Sequence, residues 1–264
     1  MNIFKRELKA NLRSLLIWGV VVILFIILGI SKFSAYYNNP DMLSFLNSLP
    51  DSVLKVLNTQ AFNLTTVTGF FGIMFTYFAL LLCITAVMWG SDIIAKEQRD
   101  KTVEFSLTLP VTRGRVVFSK TLAAFVNCVA LLLIAWGVSV IAARPYQPDA
   151  GFYRFLALSM LALFVMQIVF LAIGVLLGCA IKRYKRASSA ALFLLLGTYF
   201  LSVVTIINHG LNFLRYFSPF RYFDPADILH NSSINVGFVG LSVAIVAVSL
   251  VAARIAYEKR DLYI

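Results

Sequence analysis

Few side chains in this sequence are able to carry chemistry, and their positions limit what kind. The two histidines, His209 and His230, fall between the last two apolar stretches and form no metal-ligand cluster. Cys83, Cys128 and Cys179 lie in three different apolar stretches, where cysteine behaves as a small apolar residue. No nucleophile is spaced for a base, and no carboxylate pair lies inside an apolar stretch. A phosphate-binding P-loop needs Gly followed by Lys, and none of the 14 glycines precedes a lysine. Nucleotide hydrolysis by this chain is therefore excluded. The strongest polar groups in mid-stretch are Asn127 and Gln167. Such amides either hydrogen-bond between helices or line a substrate path. What remains is the chemistry of binding, and two segments carry it.

The first is Ser91–Lys120, reading SDIIAKEQRDKTVEFSLTLPVTRGRVVFSK. Asp100 or Thr102 can cap a short helix, and Glu104 then sits in its first turn, where the helix dipole favours a carboxylate. Val103, Phe105, Leu107 and Leu109 are its apolar residues. Pro110 stops it, because proline lacks the N–H and pushes Leu109 out of the α region. Thr112 can cap the helix that follows. A short, partly apolar helix thus projects between two long apolar stretches, and its free face needs something docked on it. The second segment, Leu211–Ile228, crowds Phe213, Tyr216, Phe217, Phe220, Tyr222 and Phe223 into a run broken by Pro219 and Pro225. Two readings remain open for it. Short re-entrant helices could form a gate sealed by Phe217 and Phe220, or the rings could form an aromatic belt at the interface.

The elements that must hold these segments follow from composition. The chain has 264 residues, of which 60% are hydrophobic and 13% charged. A soluble domain is about 45–50% apolar and about 25% charged, so this is an integral membrane protein. Six apolar stretches approach or exceed the roughly 20 residues a helix needs to cross a bilayer. They lie near 15–30, 69–90, 121–143, 155–179, 187–207 and 236–256. None of the 23 basic or 12 acidic residues falls in the middle of a stretch, and all seven prolines lie outside them. Lipid requires every backbone group to be paired within its segment, so the expectation is an all-α protein of six transmembrane helices in a single domain, 1–264.

Charge sets the orientation. Seventeen of the basic residues belong to the N-terminal arm, the second and fourth loops and the C-terminus, and six to the other three loops. The positive-inside rule places both termini in the cytoplasm and makes the net charge of +11 a membrane feature rather than a nucleic-acid footprint. The first stretch reads as an uncleaved span, since no small-x-small site follows it. Residues 1–14 read as an amphipathic interfacial helix with Phe4, Leu8, Leu12 and Leu15 on its apolar stripe and basic residues toward anionic lipid. In the first outer loop, Asn39-Pro40-Asp41 and Pro50-Asp51 each start a short helix on the membrane surface. The pair Gly174 and Gly178 lets one helix approach another closely.

With these residues in view, the chain resembles the membrane subunits of ABC-2 type transporters. That family shows a glutamate ending span two, then Thr-x-Glu, an apolar helix, Pro-Val-Ser/Thr-Arg and a lysine opening span three. Here they stand as Glu97, Thr102, Glu104, Leu107, Pro110-Val111-Thr112-Arg113 and Lys120. Lys101 occupies a position where the family usually has Gly. Residues 218–225, reading SPFRYFDP, resemble the family's outer-loop motif, and the run from Leu49-Pro50-Asp51 to Leu57 is similar to the bacitracin-resistance-like branch.

The resemblance implies a coupling helix between spans two and three, docked on a separate ATPase. Glu97, Thr102, Glu104, Phe105, Leu107, Pro110 and Arg113 would make that contact. It implies two ATPase copies carrying ATP and Mg, a second permease, identical or paralogous, and no cofactor bound by this chain. It also implies a prokaryotic plasma-membrane exporter whose cargo is an antibiotic peptide, a drug or a lipid-like molecule. Phe217, Phe220, Tyr222 and Phe223 are the outer-gate candidates. An ion-coupled carrier or channel would need ionisable groups inside the spans. A non-transporting assembly or sensor protein would need no ATPase.

Overall fold

The computed structural model describes residues 3–37, 39, 62–99, 112–181, 183–207 and 209–259. Among these the regular elements are all helices, and six are long and apolar enough to cross a membrane. Span one is Ile3–Phe33, span two Val67–Arg99, span three Arg113–Ala143, span four Ala150–Ala180, span five Tyr184–Ile207 and span six Val236–Glu258. Each contains one of the apolar stretches and runs past it at one or both ends. Apolarity marks the part a bilayer would cover; a helix continues until a cap or a breaker ends it. Thr112 caps span three by accepting from the Arg115 N–H at 3.4 Å. Asp149 caps span four through the Phe152 N–H at 2.9 Å, and Asn235 caps span six through the Gly237 N–H at 2.9 Å.

One expectation is corrected. Within 1–14, the described residues from Ile3 onward do not stand apart as a helix of their own. Ile3–Phe33 is one helix of 31 residues, because neither Pro nor Gly interrupts it before Gly19. Leu12 is exposed, but Phe4 and Leu15 pack against the core, and between them Glu7 is buried. The face toward the bundle is polar in its first turns and apolar beyond, with Gly19, Val22, Ile26 and Phe33 buried.

Spans two and four form the most extensive pairing; span one packs mainly on span three, and span six on span four. Glycine makes the central pair possible. A Cβ at Gly174 would stand 2.5 Å from the Val87 carbonyl oxygen, and one at Gly178 would stand 2.7 Å from that of Ser91. From the other side, a Cβ at Gly90 would stand 2.5 Å from the Leu171 carbonyl oxygen. These are backbone contacts that no rotamer change relieves, so both helices carry glycine where they cross.

Span lengths differ. Spans three and four have 31 residues each and rise about 46 Å; span six has 23 and rises about 35 Å. Its C-terminal end is level with the start of span three, where Arg113 meets it, so its other end stops short of its neighbours. The space there holds three short helical pieces, a 3₁₀ turn at His209–Phe217 and α-helices at Pro219–Tyr222 and Pro225–Asn231.

Candidate functional site

The segment expected to couple lies largely outside the described residues, including Thr102, Glu104, Phe105, Leu107 and Pro110. The surface helices expected in the first outer loop lie outside them too. Both stems of the coupling segment are described. Glu97 lies in the last turns of span two, which runs to Arg99. On the other side, Thr112 and Arg113 open span three.

These stems are fastened by polar contacts. Lys120, two turns into span three, is only 1% exposed. Its Nζ donates to the Ile93 carbonyl oxygen of span two at 2.9 Å and lies 3.4 Å from Glu7 Oε1 of span one. Glu7 is 4% exposed, and Arg6 Nη2 also approaches its Oε1 at 3.4 Å. A charged pair removed from water persists only where partners satisfy it. Here one lysine joins three helices at the end that carries the basic loops. Nearby, Trp89 Nε1 donates to Ser14 Oγ at 2.9 Å, and Ser91 Oγ lies 3.3 Å from Ser188 Oγ of span five. Arg113 sits on the other stem. Its Nη1 donates to the carbonyl oxygens of Glu258 at 3.3 Å and Tyr257 at 3.5 Å. Those carbonyls end span six, where a helix dipole favours a cation.

Glu7 is the residue of this polar cluster that sequence reasoning missed. It stands among Lys5, Arg6 and Lys9, and the arm reads as basic. Two signals pointed to it. It is the sole acidic residue in the first forty, and helical spacing aligns it with Asn11 and Ser14 on one polar face.

At the opposite end the aromatic run divides. Phe217 is 67% exposed. Ser218 Oγ donates to the Thr198 carbonyl oxygen at 2.7 Å. Thr198 lies nine residues before the end of span five, about 13 Å along its axis. Phe220 packs on Phe170 and Tyr199, with ring centroids 5.3 and 5.5 Å away. Tyr222 stacks on Phe238 of span six at 5.0 Å, and its hydroxyl donates to the Tyr216 carbonyl oxygen. Phe223 is buried. Arg221 pairs with Asp224, whose other oxygen accepts from the Ala226 N–H at 2.9 Å. The structure therefore brings Phe220, Tyr222 and Phe223 into the bundle and leaves Phe217 on its surface.

Asn127 and Gln167 are buried in spans three and four, but not as an interhelical hydrogen-bonded pair. Asn127 Nδ2 and both amide atoms of Gln167 have no hydrogen-bond partner among the described residues. Neither residue lines the cleft of about 400 Å³ that lies among spans three, four and six. Among the described residues no group of His, Cys, Asp and Glu is placed to hold a metal.

Comparison with known families agrees with this architecture. The model of the ABC-2 family transporter proteins matches residues 1–262, nearly the whole chain. No curated protein matches it. The chain belongs to the ABC-2 transporter family and is a multi-pass cell-membrane component of an ABC transporter, not itself catalytic.

Proposed function

We propose that this ABC-2 family member is the permease of an ATP-driven exporter, working as one half of a membrane pathway beside a second permease and two ATPase subunits. The observation that carries this reading is the fastening of the stems. Span three, which follows the segment between Arg99 and Thr112, is attached through Lys120 to spans one and two and through Arg113 to span six. A push on such a segment moves several helices together, as a coupling element must. Closure of the ATPases around ATP would favour one arrangement of the helices, and release the other. The basic ends then face the cytoplasm, in keeping with the positive-inside rule.

Transport of an antibiotic peptide, a drug or a lipid-like molecule fits the uncharged, aromatic-rich apolar stretches of the spans. Co-expression and purification with a candidate ABC ATPase subunit tests the assembly. Native mass spectrometry should find two permeases and two ATPases, with hydrolysis stimulated by one cargo of a panel. A single permease per active complex would overturn it.

The far-end aromatic segment serves as the outer gate in this reading. It enters the membrane as short re-entrant helices, and Phe220 closes the path where it packs on Phe170 and Tyr199. A chain freed of Cys83, Cys128 and Cys179 and carrying Phe220→Cys should react with an impermeant thiol reagent in one nucleotide state and be protected in the other. Full labelling in both states would leave an interfacial belt and no gate.

A further inference from the structure

The bundle holds a cleft of about 400 Å³ that the coupling reading does not use. This is within the roughly 300–1,000 Å³ of ordinary ligand clefts. Span three forms one wall with Gly114, Thr121 and Phe125; span four adds Leu171, and span six adds Val246 and Arg254. Its chemistry changes along its length. At the basic end stands the Arg254 guanidinium, within 3.3 Å of where a Gly114 Cβ would lie. From Gly114 to Phe125 the wall rises about 17 Å, close to the roughly 15 Å of hydrocarbon in one leaflet.

Two polar groups on this wall are placed to meet a ligand. Arg254 Nε donates to Glu258 Oε1 at 2.9 Å; the side chain is 69% exposed at the mouth, and its two Nη groups make no hydrogen bond among the described residues. Thr121 Oγ1 is buried and makes none among the described residues. A cation at the mouth, a hydroxyl below it and an apolar channel one leaflet deep together describe a phospholipid. The phosphate would meet the guanidinium, an ester carbonyl would meet the hydroxyl, and an acyl chain would fill the remainder.

We propose that this cleft binds one anionic phospholipid of the cytoplasmic leaflet, with its phosphate on Arg254 and one acyl chain along spans three, four and six. The proposal rests on the orientation given above and not on the ATPase. The lipid would pack span six onto the stem that Arg113 joins to it, making the bond between these helices sensitive to membrane composition.

Native mass spectrometry of the full chain, released without its ATPase from bilayers of equal phosphatidylglycerol and phosphatidylcholine, tests this. The unaltered chain should retain one phosphatidylglycerol in preference to phosphatidylcholine. Arg254→Gln should reduce that preference about fivefold, as expected for one basic residue at a charged surface. Leu122→Trp and Val246→Phe fill the cleft from opposite walls, and each folded variant should lose the retained lipid. Val243→Phe, on a face of span six that is 60% exposed, should keep it. Lipid retained equally by both filling variants, or an unchanged preference in Arg254→Gln, would overturn the proposal. So would release of the lipid by soluble glycerol phosphate, which would mark the rim as a site for free phosphate. Failure of the ATPase to associate would bear only on the coupling reading.

Discussion

Lys120→Met should lower the stability of the isolated permease by about 3–5 kcal/mol, the usual cost of removing one partner from a buried ion pair. The residue is 1% exposed, so water does not replace the lost ammonium. Glu7, 4% exposed and with Oε2 lacking a hydrogen bond among the described residues, would keep a buried carboxylate beside an apolar side chain, with the partly exposed Arg6 still 3.4 Å away. Glu7→Gln should cost less, because the amide oxygen still accepts from the lysine. The combination of Glu7→Gln with Lys120→Met leaves no charge buried in the pair and should recover most of the loss. Thermal unfolding in detergent of the two single variants and the double reads the coupling as a cycle. Strict additivity would show that the two side chains are neighbours without being partners.

Leu107→Asp should leave the permease folded and in the membrane while abolishing its co-purification with the ATPase. Val103→Pro should do the same by breaking the helix that the sequence leads one to expect there. The reasoning is that of an interface. The apolar helix expected from the sequence of the second loop has no soluble domain in this sequence to cover it, and a residue at the centre of such a contact is worth about 2 kcal/mol or more. A loss of 2 kcal/mol weakens association roughly 30-fold, enough to empty a complex during purification. Recovery of the ATPase with both variants at the unaltered yield would remove this segment from the coupling role.

The number, order and position of the spans were legible because lipid leaves a chain little choice. Each segment must satisfy its own backbone, and an apolar run of sufficient length declares itself residue by residue. Thr112 was legible as a cap for the same local reason. Helix partners were not. In lipid every apolar face is acceptable, so hydropathy does not say that span two chooses span four. The hint was in Gly90, Gly174 and Gly178, and the last two read only as a packing pair of span four. The joining of the N-terminal amphipathic segment to span one was harder to read, because its apolar stripe is periodic but has no break after it. Glu7 escaped because its meaning lies in Lys120, more than one hundred residues away. Arg113 was found as part of a motif, but its seat on the end of span six belongs to tertiary structure.

The pairing of the helices also governs how the protein is made. Span one packs chiefly on span three, and span two on span four. Neither of the first two helices to leave the ribosome therefore finds its main partner in the other. Both must wait in the bilayer as separate apolar cylinders, stable one by one, until the next two have been threaded. Glu7 meets Lys120 only when the third helix arrives, and the glycine crossing closes only with the fourth. Assembly is interleaved rather than sequential. Truncation after span two should leave two unattached helices for membrane proteases, whereas truncation after span four should leave a core able to persist.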